Sequence, residues 1–132
     1  MQMKEISLVK RTVAKKTTIR SLKKQADILW SKIIHHKWNE ICAVCGGKER
    51  PQAHHFRSRR FNSTRWNTDN GILLCSACHF GHAHRDYEWI RREFEQIHGK
   101  KMIEHLWKES QKIIKVDREF LEKVIEKLKE EL

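Results

Sequence analysis

Two cysteine pairs and a set of histidines are the residues of this chain whose types and spacing could do chemistry. The pairs, Cys42-x-x-Cys45 and Cys75-x-x-Cys78, are separated by 29 residues. Together they supply four thiolates, which can close a tetrahedron around Zn²⁺. The glycines that follow the first pair suit the chain reversal that such a site needs. The sequence therefore predicts a structural zinc site, with a thiol redox pair or unrelated buried thiols as the alternatives; its ligands would be Cys42, Cys45, Cys75 and Cys78.

Adjacent histidines lie between the cysteine pairs. His54 and His55 fall in a predicted strand over 52–56, where neighbouring side chains point to opposite faces, so the two rings cannot share one task. We expect one to bind a metal ion and the other to meet the substrate. His79 lies in the first turn of a predicted helix, with His82 one turn later on a similar face. Two imidazoles could thus share an ion, whereas ordinary surface or core positions are expected for His84, His98 and His105.

The elements that must position these side chains follow from the apolar spacing. Apolar residues recur three and four apart over 17–41, which predicts an amphipathic helix with a cationic outer face. Short strands are predicted over 52–56 and 71–74, with an irregular loop between them. Further helices should follow the second cysteine pair, and Asp117 should cap the last of them. The fold class expected is α+β, in which a small core of two strands and a helix is held by the cysteine cluster and flanked by terminal helices.

We expect one domain with four parts. At 132 residues and about 15.9 kDa, the chain is of ordinary single-domain size. The parts are a flexible basic arm over 1–16, the amphipathic basic helix over 17–41, the core with its zinc knuckle over 42–98, and a C-terminal helical segment over 99–132.

The charge of the chain favours a polyanionic partner. Its net charge is +11 and its sequence pI is about 9.8, which is typical of nucleic-acid-binding proteins. The excess of positive charge is greatest before Cys42, where the sequence has ten basic and three acidic residues. A merely solubilising lysine-rich surface is the alternative. The candidate DNA contacts lie in the loop between the strands and along the first helix: Arg57, Arg59, Arg60, Arg65, Lys15, Lys16, Arg20, Lys23 and Lys24.

Composition excludes several classes of protein. Hydrophobic residues make up 39% and charged residues 34% of the chain, with five Gly and one Pro, so collagen-like and fully disordered chains are excluded. The apolar runs are far shorter than the roughly 18 residues that a membrane span requires. The basic amino terminus lacks the apolar core of a secretory signal, which predicts a cytoplasmic location.

In order and spacing, the motifs resemble those of the HNH endonucleases, which have a ββα-metal, treble-clef-like core. The shared pattern is Cys-x-x-Cys, His-His, Asn and then Cys-x-x-Cys-His, over about 40 residues of the chain. His82, one turn after His79, could be a further ligand or could lie at the surface or beside the site without binding. The resemblance implies that His54 and His79 bind a divalent cation, Mg²⁺ or Mn²⁺. It also implies that His55 is the general base and that Asn70 orients it.

The stretch from Arg60 to Cys78 is similar to the NinG (Rap) recombination endonucleases of lambdoid phages, which also carry a basic helix before this unit and a charged helix after it. Those proteins commonly have Gly-His where this chain has His54-His55, and Asn where it has His79. The resemblance implies phage DNA recombination and branched DNA as a substrate.

The function expected from the sequence is metal-dependent hydrolysis of DNA phosphodiester bonds. A neutral histidine can take a proton from water at physiological pH if its other ring nitrogen is fixed by a hydrogen bond. The alternative is a zinc-knuckle module that binds nucleic acid without chemistry. The flanking helices could also pair two protomers, so a homodimer is a further expectation.

Overall fold

The computed structural model describes residues 17–132 and contains one small sheet among helices. In chain order the elements are α1 (Ile19–Lys37), β1 (Gln52–His55), α2 (Asn62–Arg65), a 3₁₀ turn (Thr68–Asn70), β2 (Gly71–Leu74), α3 (Ser76–Cys78), a π-helical turn (His79–Ala83), α4 (Tyr87–His98), α5 (Lys100–Ser110) and α6 (Arg118–Glu131). The α+β class is confirmed. The basic arm predicted over 1–16 lies outside the described residues.

The two strands pair antiparallel and divide the molecule into two packing regions. His54 lies opposite Ile72, and His55 lies opposite Gly71. Because residues directly opposite share a face and neighbours alternate, His54 faces the same side as Ile72, and His55 faces the other side. Ile72 belongs to a core that contains the cysteines, whereas Leu73 belongs to a core that contains α1. Strand alternation therefore sends the two histidines toward different layers.

Helix α1 packs against one side of the sheet and against α6. Its buried stripe is joined by Leu121, Ile125 and Leu128 of α6. The helices run in the same direction, because Arg118 at the start of α6 donates to the Thr17 carbonyl, and Lys37 and Glu131, near the other ends, both bond to Thr68. The stripe of α1 consists of Leu22, Ala26, Trp30, Ile33 and Ile34.

Helix α1 ends at Lys37, four residues before the predicted boundary at Ile41. Asn39 and Glu40 adopt left-handed backbone conformations, with φ of 50° and 62°. This conformation is incompatible with a right-handed helix and turns the chain toward the first cysteine pair. Apolar spacing alone could not show this stop, because Trp38 still packs against both cores.

On the other side of the sheet, α4 and α5 cover β2 and the cysteines. Phe94 and Leu106 are fully buried there, and the ring of Phe56 stacks on that of Phe94 at 4.1 Å. Asp86 caps α4 by accepting a hydrogen bond from the Trp89 amide. Within 17–132, no helix combines the length and apolar character needed to cross a membrane.

Candidate metal centres and active site

The two cysteine pairs meet in one cluster. The four sulfur atoms all lie within 4.8 Å of one another, and the sulfurs of Cys45 and Cys75 are 3.5 Å apart. A tetrahedral ion with Zn–S bonds of about 2.3 Å needs sulfurs about 3.8 Å apart. The geometry therefore fits one tetrahedral ion of the zinc type.

Local backbone structure explains how the first pair turns. Gly46 has a φ of +74°, and its amide donates to the Cys42 carbonyl. A Cβ at Gly47 would lie 3.2 Å from the sulfur of Cys45 and 3.7 Å from that of Cys75. Glycine is therefore needed at both positions, once for conformation and once for space.

Electrostatics around the cysteines favour a thiolate at Cys42. Burial raises the pKa of this thiol, but hydrogen bonds from the backbone of Cys45, Cys75 and Val44 outweigh it, and the pKa falls to about 7. Thiolates are the form that binds metal. Burial and the neighbouring thiols raise the pKa of Cys78, so the fit to a structural zinc ion rests on the type and spacing of the four sulfur atoms.

A second cluster consists of His54, His79 and His84, with one ligand atom of each within 4.8 Å of the others. The structure thus brings His54 and His79 together as predicted, and it places His84 beside them in the position predicted for His82. The ring of His82 instead stacks on Trp89, with centroids 4.8 Å apart.

The backbone conformation explains why His84, and not His82, lies beside His79. Residues 79–83 form a π-helical turn, in which the His84 amide donates to the His79 carbonyl five residues earlier. In a π turn an amide bonds to the carbonyl five residues earlier. The prediction assumed an α-helix, in which residues three or four apart are neighbours. The imidazole that lies beside His54 and His79 is therefore that of His84 and not, as predicted, that of His82.

The nitrogens of the second cluster lie close enough to contact one cation. The Nε2 atoms of His79 and His84 are 3.0 Å apart, which without an ion is the distance of a hydrogen bond between the two rings. With metal–nitrogen bonds of about 2.1 Å, both nitrogens could also reach one ion. Burial and the neighbouring rings of His79 and His84 lower the pKa of His54 to about 3. The ring of His54 is therefore neutral at physiological pH and can offer a lone pair.

His55 lies on the other face of β1, and its tautomer is fixed. Its Nε2 lies 2.9 Å from the Arg65 carbonyl. A carbonyl only accepts, so Nε2 carries the proton and Nδ1 keeps a lone pair. Burial, reinforced by the charges of Arg59 and Arg65, lowers the pKa of His55 to about 4. The ring is therefore neutral, as a proton acceptor must be.

Asn70 acts on the backbone instead of bonding directly to His55. Its Oδ1 accepts from the Arg57 amide at 2.7 Å, and its Nδ2 donates to the carbonyls of Arg57 and Thr64. Among the described residues these are the hydrogen bonds of this fully buried side chain. The expectation that Asn70 orients the ring is thus modified: Asn70 closes the loop that carries the Arg65 carbonyl.

One cleft of about 760 Å³ joins the two histidine sites. It lies along the edge of β1 that pairs with no strand, so side chains from both faces of β1 reach it. Arg57, Arg59 and Arg60 line it, and Arg57 and Arg60 both lie over the ring of Phe61, at 4.8 and 5.0 Å. The cleft thus combines neutral imidazoles with guanidinium groups.

The other residues predicted to contact DNA, as far as the structure describes them, do not line the cleft. Arg65 is committed to an ion pair with Asp27 at 2.7 Å, and its side chain is only 15% exposed. It is therefore corrected from a candidate phosphate contact to an internal ion pair. Arg20 and Lys24 are exposed on α1, whereas Lys23 is half-buried. Lys15 and Lys16 lie outside the described residues.

Sequence reasoning missed three residues of this region. His84 was assigned an ordinary role, and only its five-residue spacing from His79 could have indicated otherwise. Asp27 and Trp30 belong to α1, and their contacts with the loop and with His55 are made between distant segments of the chain. Trp30 falls on the apolar spacing that predicts the first helix, which indicates its burial but not its contact with His55.

Comparisons of the chain with protein-family models, curated proteins and solved structures found no match.

Proposed function

We propose that the protein is a metal-dependent endonuclease that hydrolyses DNA phosphodiester bonds in the manner of the HNH enzymes. The observation that carries the proposal is one cleft that holds both a three-histidine cluster and a separate neutral histidine of fixed tautomer. A binding module would need neither feature. The cysteine cluster would hold the zinc ion that keeps the strands and α3 together.

In the proposed reaction His55 is the general base. Its Nδ1 accepts a proton from the attacking water, and the Arg65 carbonyl stabilises the resulting imidazolium by accepting the hydrogen bond from Nε2. Its lowered pKa keeps the ring unprotonated before the reaction.

The three-histidine cluster would hold the divalent cation. Bound there, Mg²⁺ or Mn²⁺ would supply Lewis-acid stabilisation of the phosphate and of the leaving oxygen. His54, His79 and His84 provide three imidazole nitrogens and no carboxylate, so most of the ion's charge would remain available to a phosphate. Imidazole suits Ni²⁺ and Zn²⁺ better than Mg²⁺ or Mn²⁺, so we expect activity with several ions.

The arginines of the cleft would bind the phosphates next to the scissile one. Arg59 is accessible, with 62% of its side chain exposed despite its contact with Asp27. Arg57 is held by Ser110, to which its Nε donates at 3.0 Å. Such contacts position the backbone without reading sequence, so the proposed activity has little base preference.

The test is nicking of supercoiled plasmid by the zinc-loaded protein with Mg²⁺, Mn²⁺ or Ni²⁺. We expect the wild-type protein to nick, and His55→Ala to lower the rate about 10²- to 10⁴-fold, the usual contribution of a general base. His105→Ala is the matched control, because His105 is exposed on α5 away from the cleft.

DNA binding and zinc content are measured in parallel, with duplex, flap and four-way junction DNA. If the wild-type protein binds DNA but does not cleave it with any of these metal ions, the zinc-knuckle binding module replaces the proposal. Full activity of His55→Ala would remove His55 from the reaction.

A further inference from the structure

Helix α1 provides a rigid surface for one face of the His55 ring. The indole of Trp30 stacks on the imidazole with centroids 3.8 Å apart and planes only 7° from parallel. Trp30 is itself 2% exposed, and its Nε1 donates to the Asn67 carbonyl at 2.8 Å. Because the indole is fixed at both its face and its edge, it restricts rotation of the imidazole.

The same helix fixes the hydrogen-bond acceptor of His55. The carboxylate of Asp27 accepts from Nε and Nη2 of Arg65 at 3.1 and 2.7 Å. It also accepts from the indole Nε1 of Trp66 at 2.8 Å. Two consecutive residues at the end of α2 are thus held by one carboxylate, and the first of them carries the carbonyl that bonds to His55.

Asp27 and Trp30 are three positions apart, so they share one face of α1. Both line the cleft, yet α1 lies outside the unit of two strands and following turn that carries the histidines. We propose that Asp27 and Trp30 are positioning residues for the general base, holding His55 in the orientation and tautomer that leave Nδ1 unprotonated. This inference rests on the proposed function, because it requires that His55 be the general base of the proposed reaction.

The expected effect is on the rate of reaction and not on substrate affinity. A displacement of about 1 Å in a reacting group can cost about 100-fold in rate. Neither residue is free to bind phosphate: Trp30 is buried, and Asp27 is negative. A loss of positioning should therefore lower the single-turnover rate at saturating DNA and metal, with little change in the Kd for DNA.

The test uses the full zinc-loaded chain with Asp27→Asn, Trp30→Leu and Trp30→Phe. We expect Asp27→Asn and Trp30→Leu each to lower the single-turnover nicking rate at least tenfold, with the Kd for DNA changed less than twofold. Trp30→Phe keeps an aromatic surface and should recover part of the rate. Trp107→Leu is the matched control, because that indole is 54% exposed on α5.

A second readout does not depend on activity. Long-range ¹H–¹⁵N NMR spectra report which ring nitrogen of His55 is protonated. We expect the Nε2–H form alone in the wild-type protein, and a measurable Nδ1–H fraction in Asp27→Asn. If Trp30→Leu fails to fold, Trp30→Phe and Asp27→Asn still decide the question.

Unchanged rates in the folded variants, or an unchanged His55 tautomer in Asp27→Asn, would overturn the inference. If the wild-type protein cleaves nothing, the proposed function fails. The NMR measurement then still shows whether Asp27 controls the tautomer of the ring.

Discussion

His82 and His84 are two positions apart in the sequence and have different surroundings in the fold. His84 lies beside His79 with nitrogens 3.0 Å apart, whereas His82 stacks on Trp89. We predict that His84→Ala weakens Mn²⁺ binding at least tenfold and that His82→Ala, the matched control, changes it less than twofold. Loss of one of three protein ligands accounts for the difference.

Electron paramagnetic resonance of Mn²⁺ titrated into zinc-loaded protein measures this affinity. Equal Mn²⁺ affinity in the two variants would show that the cluster does not bind this ion through His84.

A further histidine should make stability depend on pH. His98 lies against Phe94 and Trp38, and its Nε2 is buried without a hydrogen-bond partner among the described residues. Burial, with a smaller contribution from Lys37, lowers its pKa below the ordinary value near 6.5. The unfolded chain therefore binds a proton that the folded chain does not, and stability falls as the pH drops below about 6.5.

We predict that His98→Gln loses less free energy of unfolding between pH 7 and pH 5.5 than the wild-type protein does. Urea denaturation of zinc-saturated protein at both pH values measures the difference. The comparison between proteins is needed because His54, His55 and His79 also have lowered pKa values. An identical loss in both proteins would contradict the role assigned to His98.

At the scale of elements, the contact between α1 and β2 is very close. A Cβ at Gly71 would lie 2.7 Å from Cγ1 of Ile34 and 2.8 Å from Cζ2 of Trp30. We predict that Gly71→Ala destabilises the protein by about 1–3 kcal/mol, the usual cost of overpacking. It should also lower nicking, because Trp30 would have to move away from its place beside His55.

Gly81→Ala is the matched control, since a Cβ there meets nothing within 4 Å. Urea denaturation should show that the free energy of unfolding of Gly81→Ala equals that of the wild-type protein or is slightly higher, because alanine is favoured over glycine in helices. Equal stability of Gly71→Ala and Gly81→Ala would contradict the close packing.

The sequence predicted arrangements that follow from residue type or from local backbone geometry. Thiol spacing indicated the cluster of four cysteines, and strand alternation indicated that His54 and His55 face opposite sides; the structure shows both arrangements. The π-helical turn escaped prediction because apolar spacing does not distinguish it from an α-helix over five residues. The contacts of Asp27 could not be predicted for another reason. Its partners, Arg65 and Trp66, lie 38 and 39 residues away in the sequence, and no motif links them to it.

At the scale of the whole molecule, the cysteine cluster joins the turn that follows α1 to the start of α3. Cys42, Cys75 and Cys78 are buried in the core formed with α4 and α5. We predict that zinc removal, or Cys75→Ser, abolishes cooperative unfolding and most of the tertiary signal. Zinc binding contributes about 10–16 kcal/mol in small zinc domains, as much as the whole stability of a typical domain.

Near-ultraviolet circular dichroism with metal analysis measures this effect, and we expect at least one tightly bound zinc per chain, with recovery when zinc is restored. A zinc-free protein that keeps its signal and melting temperature would show that the cluster has no structural role.

The parallel packing of α1 on α6 affects the order in which the protein can mature on the ribosome. About a hundred residues separate Thr17 from Arg118, which meet at one end of this helix pair. Domains fold during synthesis as their parts emerge, so the apolar stripe of α1 must wait for α6 before it is fully covered. A nascent chain without α6 would thus carry its histidines and cysteines but would lack Leu121, Ile125 and Leu128, which complete the core around α1.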